Sequence, residues 1–293
     1  MTLYDDEGLA GKRGVIYAPF VSPDIIDHVI GANIVRDSKN KLLFPVIVPD
    51  DKSKNYLDKL RVEEATRLQG KIEQNADIFT KLRSMGLSNQ DIKEKLTPAL
   101  YDSMLDSIKN FTQQIKILER MEIKSSSNGK VLRQLEPSAN KIYVIGHGGP
   151  GMNVLAADEN MKMGMVTSES LVEQFIDGGL SKAFSDIRTT ACYSADASEP
   201  SSFLAKDLTK TAKTIKGKRG GLLGLVGTKK PDKLAFGQSL ANALASGGFT
   251  EAVVTGYHGA GVTFSHSGYH ARQLNHDPKT NTRRSTLKQN FRA

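Results

Sequence analysis

One cysteine, Cys192, stands in a chain of 293 residues. A single thiol excludes an internal disulfide framework and any multi-cysteine metal site. No apolar run approaches the roughly 20 residues that a membrane-spanning helix needs. The segment Met1 to Glu7 is acidic with no apolar stretch behind it, so no cleavable signal peptide is expected. Aromatic residues make up only 6% of the chain, too sparsely interleaved with basic residues to suggest a nucleic-acid-binding module. The remainder, 39% hydrophobic and 25% charged, has the balance of a globular protein. Its length suits one large domain or two small ones.

Charge is unevenly spread. The formal net charge is +8, and two segments more than account for it. Residues 210–233 and 270–293 together hold 14 basic and 2 acidic side chains, leaving the rest of the chain at −4. Such patches are either solvated surface or sites for a polyanion.

Residues 1–53 carry two short apolar runs, Gly14 to Tyr17 and Leu42 to Val48, that read as strands joining a larger sheet. Pro45 lacks a ladder donor, which predicts an edge or bulged position for the second run. A short helix fits Asp24 to Ile30 between them. Residues 54–126 form a charged helical lobe, with apolar stripes at Leu57, Leu60, Leu68 and Ile72 and at Leu100, Met104, Ile108 and Ile115. Ser88 to Asp91 has the form of a capping box, and Pro98 suits a first helical position. Residues 127–270 then alternate strands with helices. Ile142 to Ile145, Ile187 to Ala191 and Ala252 to Tyr257 read as strands. Helices are predicted from Ser168 after a Thr167 cap, over Phe203 to Ala212 and over Leu234 to Ala245. This order predicts an α/β fold, an αβα sandwich on a mainly parallel sheet, with a helical lobe added. Residues 271–293 read as a basic C-terminal tail.

Ligands and catalytic groups in such folds collect at the carboxyl ends of strands. His147 follows one strand within Gly146-His147-Gly148-Gly149-Pro150-Gly151, and Cys192 follows another. A deprotonated thiol there can attack an acyl carbon, with an imidazole as acid and base. Backbone N–H groups exposed by the glycines can face a developing oxyanion. A buried thiol serving only as a small apolar group is the plainer reading of Cys192.

The segments Val144-Ile145-Gly146-His147-Gly148 and Thr190-Ala191-Cys192-Tyr193-Ser194 resemble the paired motifs of the caspase–hemoglobinase superfamily of cysteine peptidases. The likeness is nearest to the self-processing domains of large bacterial toxins and covers roughly residues 130–262. It departs at Ser185 to Thr190, which is more polar than the family's usual strand. The resemblance implies a Cys192–His147 dyad acting on protein or peptide substrates, with the amides of Gly148 and Cys192 facing the oxyanion. It also implies a bacterial effector or toxin, acting in the bacterial cytoplasm or delivered into a host cell. Those toxin domains are switched on by inositol hexakisphosphate, which would place an anion site at Lys213, Lys216, Lys218 and Arg219. Asp186 and Asp196 flank the nucleophile and are candidate specificity carboxylates for a Lys or Arg side chain.

Two other enzyme readings are weaker. His147 to Gly151 also resembles the oxyanion segment of proline iminopeptidase-like α/β-hydrolases, but Gly237-Gln238-Ser239-Leu240-Ala241 lacks the final glycine of a nucleophile elbow. His266 and His270 are spaced four apart, yet Gly268 between them and the missing adjacent glutamate argue against a zinc helix, so no metal is expected. The remaining alternative is a non-enzymatic interaction module using the helical lobe and the basic tail.

Overall fold

The computed structural model describes residues 11–217, 231–264 and 268–293. Its centre is a seven-stranded sheet in the order β12-β8-β7-β4-β1-β2-β3. The strands are β1 (Arg13–Tyr17), β2 (Val46–Val48), β3 (Ile123–Ser125), β4 (Asn140–Val144), β7 (Asp186–Thr189), β8 (Val253–Tyr257) and β12 (Lys288–Phe291). All neighbours run parallel except β12, which is antiparallel to β8. β5 (Val154–Ala156) and β6 (Met165–Thr167) form a hairpin, and β9 (Ala260–Gly261), β10 (Ala271–Leu274) and β11 (Asp277–Arg283) form a small antiparallel sheet.

Alternation along each strand sorts its side chains into two layers. Val15, Tyr17, Ile142, Val144, Ile187 and Val254 face α5 (Ser168–Asp177) and α7 (Phe236–Ser246). Ile16, Val46, Val48, Ile123 and Ile145 face α1 (Pro23–Asp37), α2 (Asp51–Ser84) and α4 (Pro98–Arg120). The fold is the predicted αβα sandwich, but the second helical layer stops at β4. Over β7, β8 and β12 the sheet carries polar side chains instead, including Asp186 and Arg188. That open face explains the polar composition of Ser185 to Thr190.

The helices between β2 and β3 form the crossover that joins these parallel neighbours. The capping box predicted at Ser88 is present, with Asp91 bonded back to the Ser88 amide at 2.9 Å, and it opens α3 (Asn89–Leu96). Pro98 opens α4. Leu57, Leu60, Leu68, Ile117 and Leu118 bury into the sheet core, while Phe79, Ile92 and Met104 form a separate cluster farther out. The base of the helical segment is therefore part of the main core.

Two expectations fail. β2 is an interior strand and begins at Val46, so Pro45 lies just before the ladder and removes no donor from it. Residues 271–293 are not a tail. They supply β10, β11 and β12, and Ala271, Leu274, Leu287 and Phe291 are buried.

Candidate active site

β4 and β7 are adjacent and in register, with Val144 opposite Thr189 at their carboxyl ends. The chain beyond β4 reaches His147 and the chain beyond β7 reaches Cys192. Both side chains line one cleft of about 80 Å³.

His147 is fixed through its backbone. Its N–H donates to the Ala156 carbonyl at 2.9 Å and its own carbonyl accepts from the Ala156 N–H at 3.0 Å, docking it on β5. Gly148 makes the close approach possible. A Cβ there would sit 2.9 Å from the Cys192 carbonyl oxygen and 3.2 Å from the Ala191 Cβ.

The turn that carries Cys192 is strained and tightly held. Tyr193 has φ of 56° although it is a buried aromatic residue. A left-handed conformation there costs about 1–3 kcal/mol and persists only where neighbours enforce it. Those neighbours are present. The Ser194 hydroxyl donates to the Thr189 carbonyl at 2.8 Å and accepts from the Tyr257 N–H at 2.9 Å. The Gly237 N–H donates to the Ser194 carbonyl at 2.9 Å, and the Gly151 N–H to the Asp196 carbonyl at 2.8 Å. Cys192 is half-buried, and its Sγ accepts from the Gly261 N–H at 3.2 Å. Among the described residues, the amides of Gly148 and Cys192 have no acceptor.

Three residues escaped the sequence reading. Asp24 lies in the first turn of α1, and its Oδ2 is 3.1 Å from Nε2 of His147. The contact is out of line for a hydrogen bond, so Nε2 is buried without an aligned partner. Such alignment often tightens only once substrate binds. His28, one helical turn further, lies against His147 with ring centroids 4.6 Å apart and the ring planes tilted by 43°. Burial first, then the charge of His147, pulls the pKa of His28 down to about 4 against the opposing Asp24. Arg272 of β10 is fully buried beside the Cys192 turn, with its guanidinium on the carbonyls of Thr190, Ala191 and Gly259. The Asp24–His28 spacing was visible in the sequence. Arg272 had no local signal.

The candidate specificity carboxylates do not lie in the cleft. Asp186 opens β7 at the end away from Cys192, and Arg188 holds it at 2.8 and 3.0 Å. Asp196 is fully buried. Its Oδ1 faces the His258 Nδ1 at 2.6 Å and accepts from the Thr211 hydroxyl at 2.7 Å, and its Oδ2 accepts from the Gly259 N–H at 2.9 Å. It braces the Cys192 turn and has no oxygen left for a substrate cation.

Of the expected anion site, Lys218 and Arg219 lie outside the described residues, as does His266. Lys213 and Lys216 are exposed, and Lys216 pairs with Asp232 at 2.8 Å. The basic side chains that do converge lie elsewhere, on the open face of the sheet. A basin of about 480 Å³ there is lined by nine lysines and arginines, among them Lys12, Lys141, Arg188, Arg284 and Lys288. One carboxylate, Asp186, faces them. His270 and Arg284 line both this basin and the cleft. Burial, then Arg284 and Arg272, holds His270 well below the ordinary imidazole range.

Ser239 lies inside α7, not on a strand-to-helix elbow, which removes the structural basis of the serine hydrolase alternative. No protein-family model, curated protein or solved structure matches this chain, so the geometry of the site itself carries the functional reading.

Proposed function

We propose that the protein is a cysteine endopeptidase of the caspase–hemoglobinase type, acting on protein substrates, with its own chain one candidate among them. The observation that carries this reading is the cleft that His147 and Cys192 both line, beyond the carboxyl ends of adjacent parallel strands, with the Gly148 backbone against Cys192. In this mechanism His147 takes the thiol proton and the Cys192 sulfur attacks the scissile carbonyl carbon. The oxyanion accepts from the amides of Gly148 and Cys192. The C–N bond breaks, His147 returns its proton to the leaving amine, and water hydrolyses the remaining thioester. With Nε2 turned towards Asp24, Nδ1 is the nitrogen left to exchange that proton.

The test is cleavage of a peptide library and of the chain itself. Cys192→Ala is expected to abolish cleavage while leaving the fold intact, and His147→Ala to lower it roughly 10²-fold or more. Full activity in a folded Cys192→Ala protein would end the reading. A cleft with Arg272 and Arg284 on its walls and no carboxylate among them disfavours Lys or Arg beside the scissile bond.

Inositol hexakisphosphate is the proposed activating anion, now assigned to the basin on the open sheet face. Nine cationic side chains around one paired carboxylate support this. Calorimetric titration at physiological salt is expected to show binding that Arg188→Ala with Lys288→Ala weakens and Lys213→Ala with Lys216→Ala leaves unchanged. The reverse pattern would return the site to residues 213–219.

A further inference from the structure

We infer that Arg272 is a positioning residue that supplies the positive charge facing the Cys192 thiolate and ties the segment leading into it to the Gly259 loop. The inference rests on the reading of Cys192 as the nucleophile.

The guanidinium is 1% exposed, and among the described residues no carboxylate lies within ion-pair distance of it. Its Nη1 donates to the carbonyls of Ala191 at 3.1 Å and Gly259 at 3.0 Å, and its Nη2 to Thr190 at 2.7 Å. Nε is buried with no acceptor. A cation removed from water without a counter-charge is costly, and removing its compensation costs more.

The anion available to it is the nucleophile. Thr190 and Ala191 lead directly into Cys192, and Gly259 is two residues before Gly261, whose N–H points at Sγ from 3.2 Å. A Cβ built on Gly261 would lie 3.6 Å from Nη1 of Arg272 and 3.9 Å from Sγ of Cys192. Thiol and guanidinium therefore look onto the same small gap, kept open by a glycine. Burial lowers the pKa of Arg272 to about 10, and the charge of Cys192 is the largest influence opposing that fall.

The other groups around the pair do not take this role. Arg284 adds like charge, and Tyr257 offers its ring face 5.3 Å from the guanidinium carbon. Asp196 has its oxygens occupied by Thr211, His258 and Gly259. His28, His147 and His270 line the cleft and supply no negative charge, and the phenol of Tyr193, beside Cys192, is held protonated by burial.

Alkylation of Cys192 by iodoacetamide, followed by mass spectrometry across the pH range of thiol titration, tests this on the full chain. Arg272→Met is expected to move the midpoint of the rate profile up by about one pH unit, slowing alkylation at neutral pH about tenfold. Arg272→Lys keeps the charge and is expected to hold the midpoint near that of the wild type, although it loses the fork that grips three carbonyls. A folded Arg272→Met protein with an unmoved midpoint overturns the inference, as does Arg272→Lys shifting as far as Arg272→Met. Should Arg272→Met not fold, the ratio of iodoacetate to iodoacetamide rates in the wild type decides. A ratio several-fold above that of the unfolded chain supports a cation at the thiol, and an equal ratio overturns it. Wild-type Cys192 reacting no faster than an unfolded thiol would instead sink the nucleophile reading itself.

Discussion

Small side chains and backbone groups set the chemistry as much as the two reactive residues do. Gly148 lets the His147 loop rest on the Cys192 turn, and its amide has no other acceptor among the described residues. Gly148→Ala is expected to cut cleavage roughly 10-fold or more by displacing that donor, and to lower the melting temperature as well, because the added Cβ would meet the Cys192 carbonyl oxygen at 2.9 Å; kinetics and a thermal scan on the same preparation check both halves. Asp24→Asn is expected to lower turnover more than it raises KM, since Asp24 acts on substrate only through His147. His28 adds a pH signature. An unfolded imidazole binds its proton near pH 6.5, but native His28 does so only near pH 4. Between those values the unfolded chain holds more protons, so stability present above pH 6.5 is lost as the pH falls. The loss from this residue is at most about 3 kcal/mol. Urea unfolding at a series of pH values should show that His28→Asn flattens this acid limb. His147 and Cys192 were legible from their places after two apolar runs. Asp186 and Asp196 misled because sequence proximity to Cys192 says nothing about which end of a strand, or which side of a turn, a carboxylate occupies.

Among the elements, those with strong local signals were the easiest to read. The Thr167 cap, the Ser88 box and Pro98 each satisfy or omit helix-terminal N–H groups within a few residues, so the sequence alone identifies them. The last 23 residues had no such signal. β11 buries none of its side chains and β12, at the edge of the seven-stranded sheet, buries only Phe291, while β10 buries Ala271, Arg272 and Leu274 in too short a stretch to show a period. The pairing partner of β12 is distant in sequence, as Phe291 against Val254 shows. Phe291 nonetheless packs on Gly237 in the main core. Phe291→Ala is expected to destabilise the fold by about 3 kcal/mol or more, measured by urea unfolding. A cost near zero would mean that β12 is frayed.

At the scale of the whole molecule, one sheet carries two candidate sites. Its carboxyl edge gathers His147, Cys192 and the free amides, and its uncovered face gathers cations around Arg188. His270 and Arg284 border both sites. β10 carries Arg272 from that border to the Cys192 turn, so under the proposed activation an anion in the basin would press on the same elements that hold Cys192. The central claim, that Cys192 is a nucleophile activated by His147, is tested most directly by labelling with an electrophilic peptide. The full-length wild type, Cys192→Ala and His147→Ala are each incubated with an acyloxymethyl ketone peptide at neutral pH, with and without inositol hexakisphosphate, and the adduct is read by intact mass. The account predicts one adduct per chain in the wild type, confined to Cys192 and formed faster with the anion. It predicts none in Cys192→Ala and labelling slowed roughly 10²-fold in His147→Ala. Wild-type labelling no faster than that of the urea-unfolded chain, or equal rates with and without His147, would contradict it.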